Sequence, residues 1–192
     1  MNWETLLSTG DSITIGSRSY LGYPEYCAGF LSERTNKKWN VLNHSIAGFT
    51  TIDLARFLDE NMANLKSAKP DIATILIGTN DLKGSTSSKI FRLAYELLIT
   101  KVQLIVGSKN IILIEIPLLR DGVMLPYLIG MNEVVKEYNL IIQEICKTNN
   151  FHCLTLDCND EYFYDGVHLN ELGSEAIGRQ VSNYILELRG TR

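Results

Sequence analysis

The sequence predicts an α/β fold, a three-layer α/β/α sandwich around a parallel sheet, and three observations lead there. Short β-rich runs alternate with longer helical patterns in the order βαβαβαβαβα, without internal repeats or low-complexity linkers. One run, Ile72-Ala73-Thr74-Ile75-Leu76-Ile77, is apolar throughout, as in a strand covered on both faces. The 192 residues, 45% hydrophobic and 21% charged, suit one globular domain over residues 1–192 with a sizeable core.

Each element has its own warrant. Leu6-Leu7 begin a first strand, which stops abruptly at the small, turn-prone Gly10-Asp11-Ser12. Tyr23, Cys27, Phe30 and Leu31 then recur at helical spacing, and Trp39-Asn40-Val41-Leu42-Asn43 reads as a second strand. Thr50-Thr51-Ile52-Asp53 has the spacing of a capping box and opens a helix with Ala55, Leu58, Met62 and Leu65 on one face. The apolar run after Pro70 is the third strand. Ile90, Leu93, Ala94, Leu97, Leu98, Leu104 and Ile105 follow a helical pattern that Gly107 should stop. Ile111 to Ile116 is the fourth strand, ended by Pro117, which has no N–H for a central ladder. Met131 through Ile145 mark a further helix, Phe151 to Leu156 a short fifth strand, and Ala176 through Leu188 the closing helix.

Composition narrows the function. A net charge of -4 without any Lys/Arg run gives no broad attraction for phosphate backbones or anionic lipid, so nucleic acid is not an expected partner. No apolar run reaches membrane-spanning length, and Met1-Asn2-Trp3-Glu4 leads into the first strand without a signal-peptide pattern, so a cytoplasmic protein without stable membrane insertion is expected. Cys27, Cys146, Cys153 and Cys158 include no Cys-x-x-Cys pair and read as buried free thiols in a core that needs no staples. No cofactor and no metal are expected.

In a parallel sheet the loops after the strands open on one rim, where ligands bind. Those loops carry Ser12, then Asn43-His44-Ser45-Ile46-Ala47-Gly48, then Gly78-Thr79-Asn80-Asp81, and last Asp165-Gly166-Val167-His168. A rim serine becomes a nucleophile only if a histidine takes its proton, an acid orients that histidine, and donors face the oxyanion. Gly48, just ahead of a helix, has a backbone N–H free to face an anion. Asp11 and Asp81 read as loop-shaping carboxylates that cap nearby amides. His44 lies on the rim without an acid at comparable spacing, and His152 starts a strand at the opposite end. Glu115 faces the rim or caps loop amides, and the sequence does not choose.

Gly10-Asp11-Ser12, Gly48, Gly78-Thr79-Asn80-Asp81 and Asp165-x-x-His168, in this order and spacing over nearly the whole chain, resemble the SGNH (GDSL-type) hydrolases. The resemblance implies a flavodoxin-like sheet of order 2-1-3-4-5 and cleavage of small-molecule esters or thioesters. It implies Ser12 as nucleophile, His168 as base and then acid, Asp165 as the group that orients the imidazole, and an oxyanion hole from the backbone N–H groups of Ser12 and Gly48 with the Asn80 side chain. One departure is Ser45, where the family often has a glycine. No Gly-x-Ser-x-Gly occurs, so the nucleophile elbow of α/β-hydrolases is not the device, and the serine should be more loosely held. The family includes carbohydrate acetylesterases, lysophospholipases, thioesterases and arylesterases. Short acyl groups are expected here, because little inserted material is available for an acyl tunnel and Tyr20, Tyr23 and Tyr26 offer flat surfaces for a leaving group. Leu125, Tyr127 and Leu128, after the fourth strand, either line a pocket or pack their loop onto the next helix. The alternatives are longer-chain lysophospholipase or thioesterase activity, acyl transfer to an acceptor other than water, a metal site built on Asp11, Asn80, Asp165 and His168, and a non-catalytic domain of the same fold.

Overall fold

Five parallel strands form the sheet: β1 (Trp3–Gly10), β2 (Lys38–Ser45), β3 (Ile72–Leu76), β4 (Ile111–Ile114) and β5 (His152–Leu154). Their order is β2-β1-β3-β4-β5, the flavodoxin-like arrangement expected. The structure, a computed structural model, describes residues 3–190. Among the described residues, six α-helices connect or follow the strands: α1 (Ser12–Ile15), α2 (Tyr23–Arg34), α3 (Thr51–Ala68), α4 (Ser88–Val106), α5 (Asn132–Asn149) and α6 (Glu171–Leu188).

Side-chain alternation divides the core between the two faces of the sheet. Leu7, Ala73, Ile75, Ile111 and Leu113 point into a cluster closed by Leu54 and Leu58 of α3, Phe91, Tyr95 and Leu98 of α4, and Tyr138 and Ile142 of α5. Leu6, Ile72, Leu76, Ile112 and Ile114 point the other way, onto Tyr23, Cys27 and Leu31 of α2 and Ile177, Val181 and Ile185 of α6. Thr74 falls on that second face. Its hydroxyl bonds with Ser8 Oγ at 2.8 Å and Tyr23 Oη at 3.2 Å, so the buried oxygens satisfy one another.

Local signals fix the element ends. The capping box forms: Asp53 N donates to Thr50 Oγ1 at 3.4 Å, and Thr50 N to Asp53 Oδ2 at 3.1 Å. Gly107 caps α4 with φ 76°. The four cysteines are free thiols, two of them buried. Among the described residues, no helix is long and apolar enough to cross a membrane.

Several expectations are corrected. Strand β2 runs on through His44 and Ser45, paired with Thr9 and Gly10, which leaves a shorter second loop. Its extra residues complete the ladder alongside the full length of β1. Strands β4 and β5 are shorter than their apolar runs, and beyond β4 the backbone N–H and C=O of Ile116 bond the Asn139 side chain at 2.8 and 2.9 Å instead of a neighbouring strand. On α4 the buried stripe is Phe91, Tyr95, Leu98 and Val102, whereas Ile90, Leu93, Leu97 and Leu104 are exposed. That helix is apolar on most sides, and its two aromatic rings claim the sheet because they bury the most area.

Candidate active site

The chain reverses direction across the sheet between β1 and β3, and ligands bind in the crevice at such a switch point. Ser12 leaves β1 and Asn80 leaves β3 at this crevice. Gly10 allows the approach, since a Cβ there would collide with the Leu76 carbonyl and the Thr14 side chain. The turn after it is capped: Asp11 Oδ1 accepts the N–H of Ile13 at 3.0 Å, so Ser12 becomes the first residue of the one-turn helix α1. The serine is thus held by a capped turn rather than loosely. A helix at this point was not foreseen from the sequence.

Ser12 meets a residue 156 positions away: its Oγ lies 3.0 Å from His168 Nε2. His168 Nδ1 lies 2.8 Å from Asp165 Oδ2. The other oxygen of that carboxylate, Oδ1, accepts the backbone N–H groups of Val167 at 3.1 Å and His168 at 2.8 Å. One side chain therefore shapes the turn and aims the ring. The carboxylate makes Nδ1 the protonated nitrogen and leaves the Nε2 lone pair directed at the serine hydroxyl. Partial burial pushes the Asp165 carboxyl up, but the hydrogen bonds and charge of His168, with the Val167 N–H, outweigh it and hold the group below the usual range. From the β4 loop, Arg120 N donates to Gly166 O at 2.8 Å and braces the turn.

Asn80 opens a single 3₁₀ turn (Asn80–Leu82) and is buried. Its Nδ2 donates to Asp11 Oδ2 at 3.3 Å and to Phe49 O at 3.0 Å, which places it against both the serine turn and the Gly48 turn. Gly48 takes φ 86°, and among the described residues its N–H has no backbone partner. Asp81 Oδ2 accepts the backbone N–H and the hydroxyl of Thr51, both at 2.9 Å, tying the third loop to the start of α3. Asp11 is 1% exposed, and burial raises its pKa from 3.8 to about 7, against the lowering effect of the Ile13 N–H.

The other polar residues lie apart from this centre. His44 stacks on Phe57 with ring centroids 4.9 Å apart, and burial lowers its pKa. Glu115 Oε1 accepts from Gln143 at 2.7 Å and Thr155 at 2.8 Å, so it serves the α5 and β5 side. His152 starts β5, at the end of the sheet away from the rim. Among the described residues, no three His, Cys, Asp or Glu side chains converge to hold a metal ion.

The rim surface also differs from expectation. Tyr23 is fully buried, and Tyr26 donates to Glu171, which leaves Tyr20, 90% exposed, as the open aromatic of the three. In the β4 loop Met124, Leu125 and Leu128 are exposed while Tyr127 turns inward, its hydroxyl donating to Asn80 Oδ1 at 2.9 Å. Sequence reasoning considered Tyr127 only for its apolar body. The available signal was its phenol, which needs a partner once buried.

The doubly wound sheet thus brings Ser12, His168 and Asp165 into one hydrogen-bonded line on its rim. The chain belongs to the GDSL-like Lipase/Acylhydrolase family, whose model matches residues 9–176. Among solved structures, the chain resembles a lipase/acylhydrolase from Enterococcus faecalis, with a TM-score of 0.78, 23% identity and coverage of 95% of each chain. It also resembles an acetylxylan esterase from Geobacillus stearothermophilus (TM-score 0.69, 22% identity, covering 98% of this chain and 95% of that one). A third is an alpha/beta hydrolase enzyme from the metagenome of Lake Arreo, Spain (TM-score 0.70, 19% identity, with the same coverage). No curated protein sequence matches the chain.

Proposed function

We propose that this acylhydrolase cleaves short-chain acyl esters, O-acetyl esters foremost, through an acyl-enzyme on Ser12. The observation that carries the reading is the line from Ser12 Oγ to His168 Nε2 at 3.0 Å and from His168 Nδ1 to Asp165 Oδ2 at 2.8 Å. His168 takes the hydroxyl proton as Ser12 attacks the ester carbonyl, then returns it to the departing alcohol. The positive charge that the imidazole gains faces the ionised Asp165. Water, deprotonated by the same Nε2, then releases the acid.

The oxyanion is received by the backbone N–H groups of Ser12 and Gly48 with Asn80 Nδ2. Both Asn80 N–H bonds already have protein acceptors, and the contact to Asp11 at 3.3 Å is the longer. That is the bond shared with the substrate oxygen. Tyr127 turns inward onto Asn80 and its loop neighbours Met124 and Leu125 are exposed, which supports a small acyl group. The acetylxylan esterase among the similar structures is a precedent for acetyl esters on this fold.

A second reading, lysophospholipase or thioesterase activity, draws on one observation: Met124 and Leu125 are 71% and 81% exposed on the rim loop. A nitrophenyl ester series separates the two. kcat/KM should be highest from acetyl to butyryl and decline beyond. An apolar acyl site would instead add about 0.8 kcal/mol per methylene and favour octanoyl or decanoyl esters. Ser12→Ala should abolish turnover with an unchanged circular dichroism spectrum, and parent-like turnover would overturn the serine mechanism.

A further inference from the structure

We infer that Tyr127 is a positioning residue of the oxyanion hole, holding the Asn80 amide in its donating orientation through the bond from its hydroxyl to Asn80 Oδ1. The inference rests on the serine-esterase reading above and adds a residue that lies outside all four sequence motifs.

Asn80 sits on a three-residue 3₁₀ turn, a short element with little hold on a side chain. In the resting site its amide is gripped at three points: Phe49 O at 3.0 Å, Asp11 Oδ2 at 3.3 Å and the Tyr127 hydroxyl at 2.9 Å. When a substrate oxygen develops charge, the N–H near Asp11 turns to it and the weakest grip is lost. Phe49 O and Tyr127 then fix the amide plane from its two ends. A hydrogen bond donated to Oδ1 also polarises the amide and strengthens its N–H as a donor.

The phenol is suited to this task. Tyr127 is buried, and burial, reinforced by the charges of Asp11 and Asp165, holds its pKa well above the ordinary value, so it remains a donor. Its ring lies under Lys83, whose Nζ is 4.9 Å from the centroid. The loop that carries it is anchored on both sides. Arg120 N binds Gly166 O, while Leu119 N donates to Asn132 Oδ1 at 2.7 Å and Asn132 Nδ2 to Leu119 O at 3.0 Å. The same β4 loop therefore braces the histidine turn at Gly166 and the oxyanion side at Asn80.

The test is Tyr127→Phe in the full chain, assayed on nitrophenyl acetate alone and combined with Asn80→Ala. The expected result is a loss of about tenfold in kcat with KM nearly unchanged, the scale of one ordinary hydrogen bond. The double variant should be no slower than Asn80→Ala, since Tyr127 acts through that amide. In ¹⁵N–¹H spectra the Asn80 side-chain pair should shift in Tyr127→Phe while the Asn139 pair stays in place. Parent-like kcat for Tyr127→Phe, or the same tenfold loss in the Asn80→Ala background, would overturn the inference. Either can happen while Ser12→Ala is inactive, so the esterase reading stands or falls separately. Parent-like turnover of Ser12→Ala would overturn both.

Discussion

Asp11 and Asp165 stand at the same rim, yet their carboxyls are driven in opposite directions. Asp11 is fully enclosed and accepts one backbone N–H and one long contact from Asn80, too little to offset its loss of water, so its pKa rises to about 7. Asp165 keeps some solvent and accepts two backbone N–H groups as well as the imidazole, so it stays below the ordinary carboxylate range. The difference lies in donors relative to burial. Under the mechanism proposed above, this suits Asp165 to face the imidazolium of His168, whereas Asp11 shapes the turn through Ile13 and contacts Asn80.

The widest separation between the two should come from Asp165→Asn, which retains an acceptor but removes the charge and disturbs the imidazole tautomer. kcat should fall by about 10⁴, measured on a short-chain nitrophenyl ester. A loss of tenfold or less would mean that the imidazole is oriented by something else, and the contrast with Asp11 would collapse.

Next in size is Asn80→Ala, which removes the side chain that Asp11 holds. A decrease of about 10² to 10³ in kcat with little change in KM is expected, as for one lost oxyanion donor. Were KM to rise at constant kcat, Asn80 would be a ground-state binding group, and the Asp11 contact would have no catalytic meaning.

The smallest effect concerns stability. Because the folded-state pKa of Asp11 is raised from 3.8 to about 7, the folded chain holds that proton more tightly than the unfolded chain. Its contribution is therefore most favourable below pH ~4, declines as pH rises towards about 7, and is constant above that. Asp165 has the opposite sign: its depressed pKa stabilises the fold above the ordinary carboxylate range and is lost in acid. Unfolding free energies of parent and Asp11→Asn, measured by denaturant titration from pH 4 to pH ~8, should diverge in the parent's disfavour as pH rises, by a few kcal/mol at most. Parallel curves would show that Asp11 titrates like an ordinary carboxyl.

The sequence alone determined whatever depends on near neighbours. The apolar run of β3, the capping box at Thr50 and Asp53 and the Gly107 stop are all decided within a few residues by periodicity, side-chain caps and backbone freedom. So is the turn in which Asp165 accepts the N–H groups of Val167 and His168. The motif blocks also indicated which loops share a rim, because parallel strands put all their C-terminal ends together.

Tertiary structure decided the rest, where several local choices were equally good or the partners were far apart. The sequence of α4 offers apolar residues on most of its sides, and only the sheet selected Phe91 and Tyr95 over Leu93 and Leu97. His44 looked like a loop residue until pairing with β1 carried β2 through it. Tyr23 could belong to the apolar stripe of α2 or offer a rim surface, and only the packed sheet chose the stripe, with Thr74 as the partner of its hydroxyl. Asn80 reaches Asp11 across 69 positions, and Tyr127 reaches Asn80 across 47. No spacing rule encodes such bonds, since they exist only once β1, β3 and the loop after β4 meet at one end of the sheet.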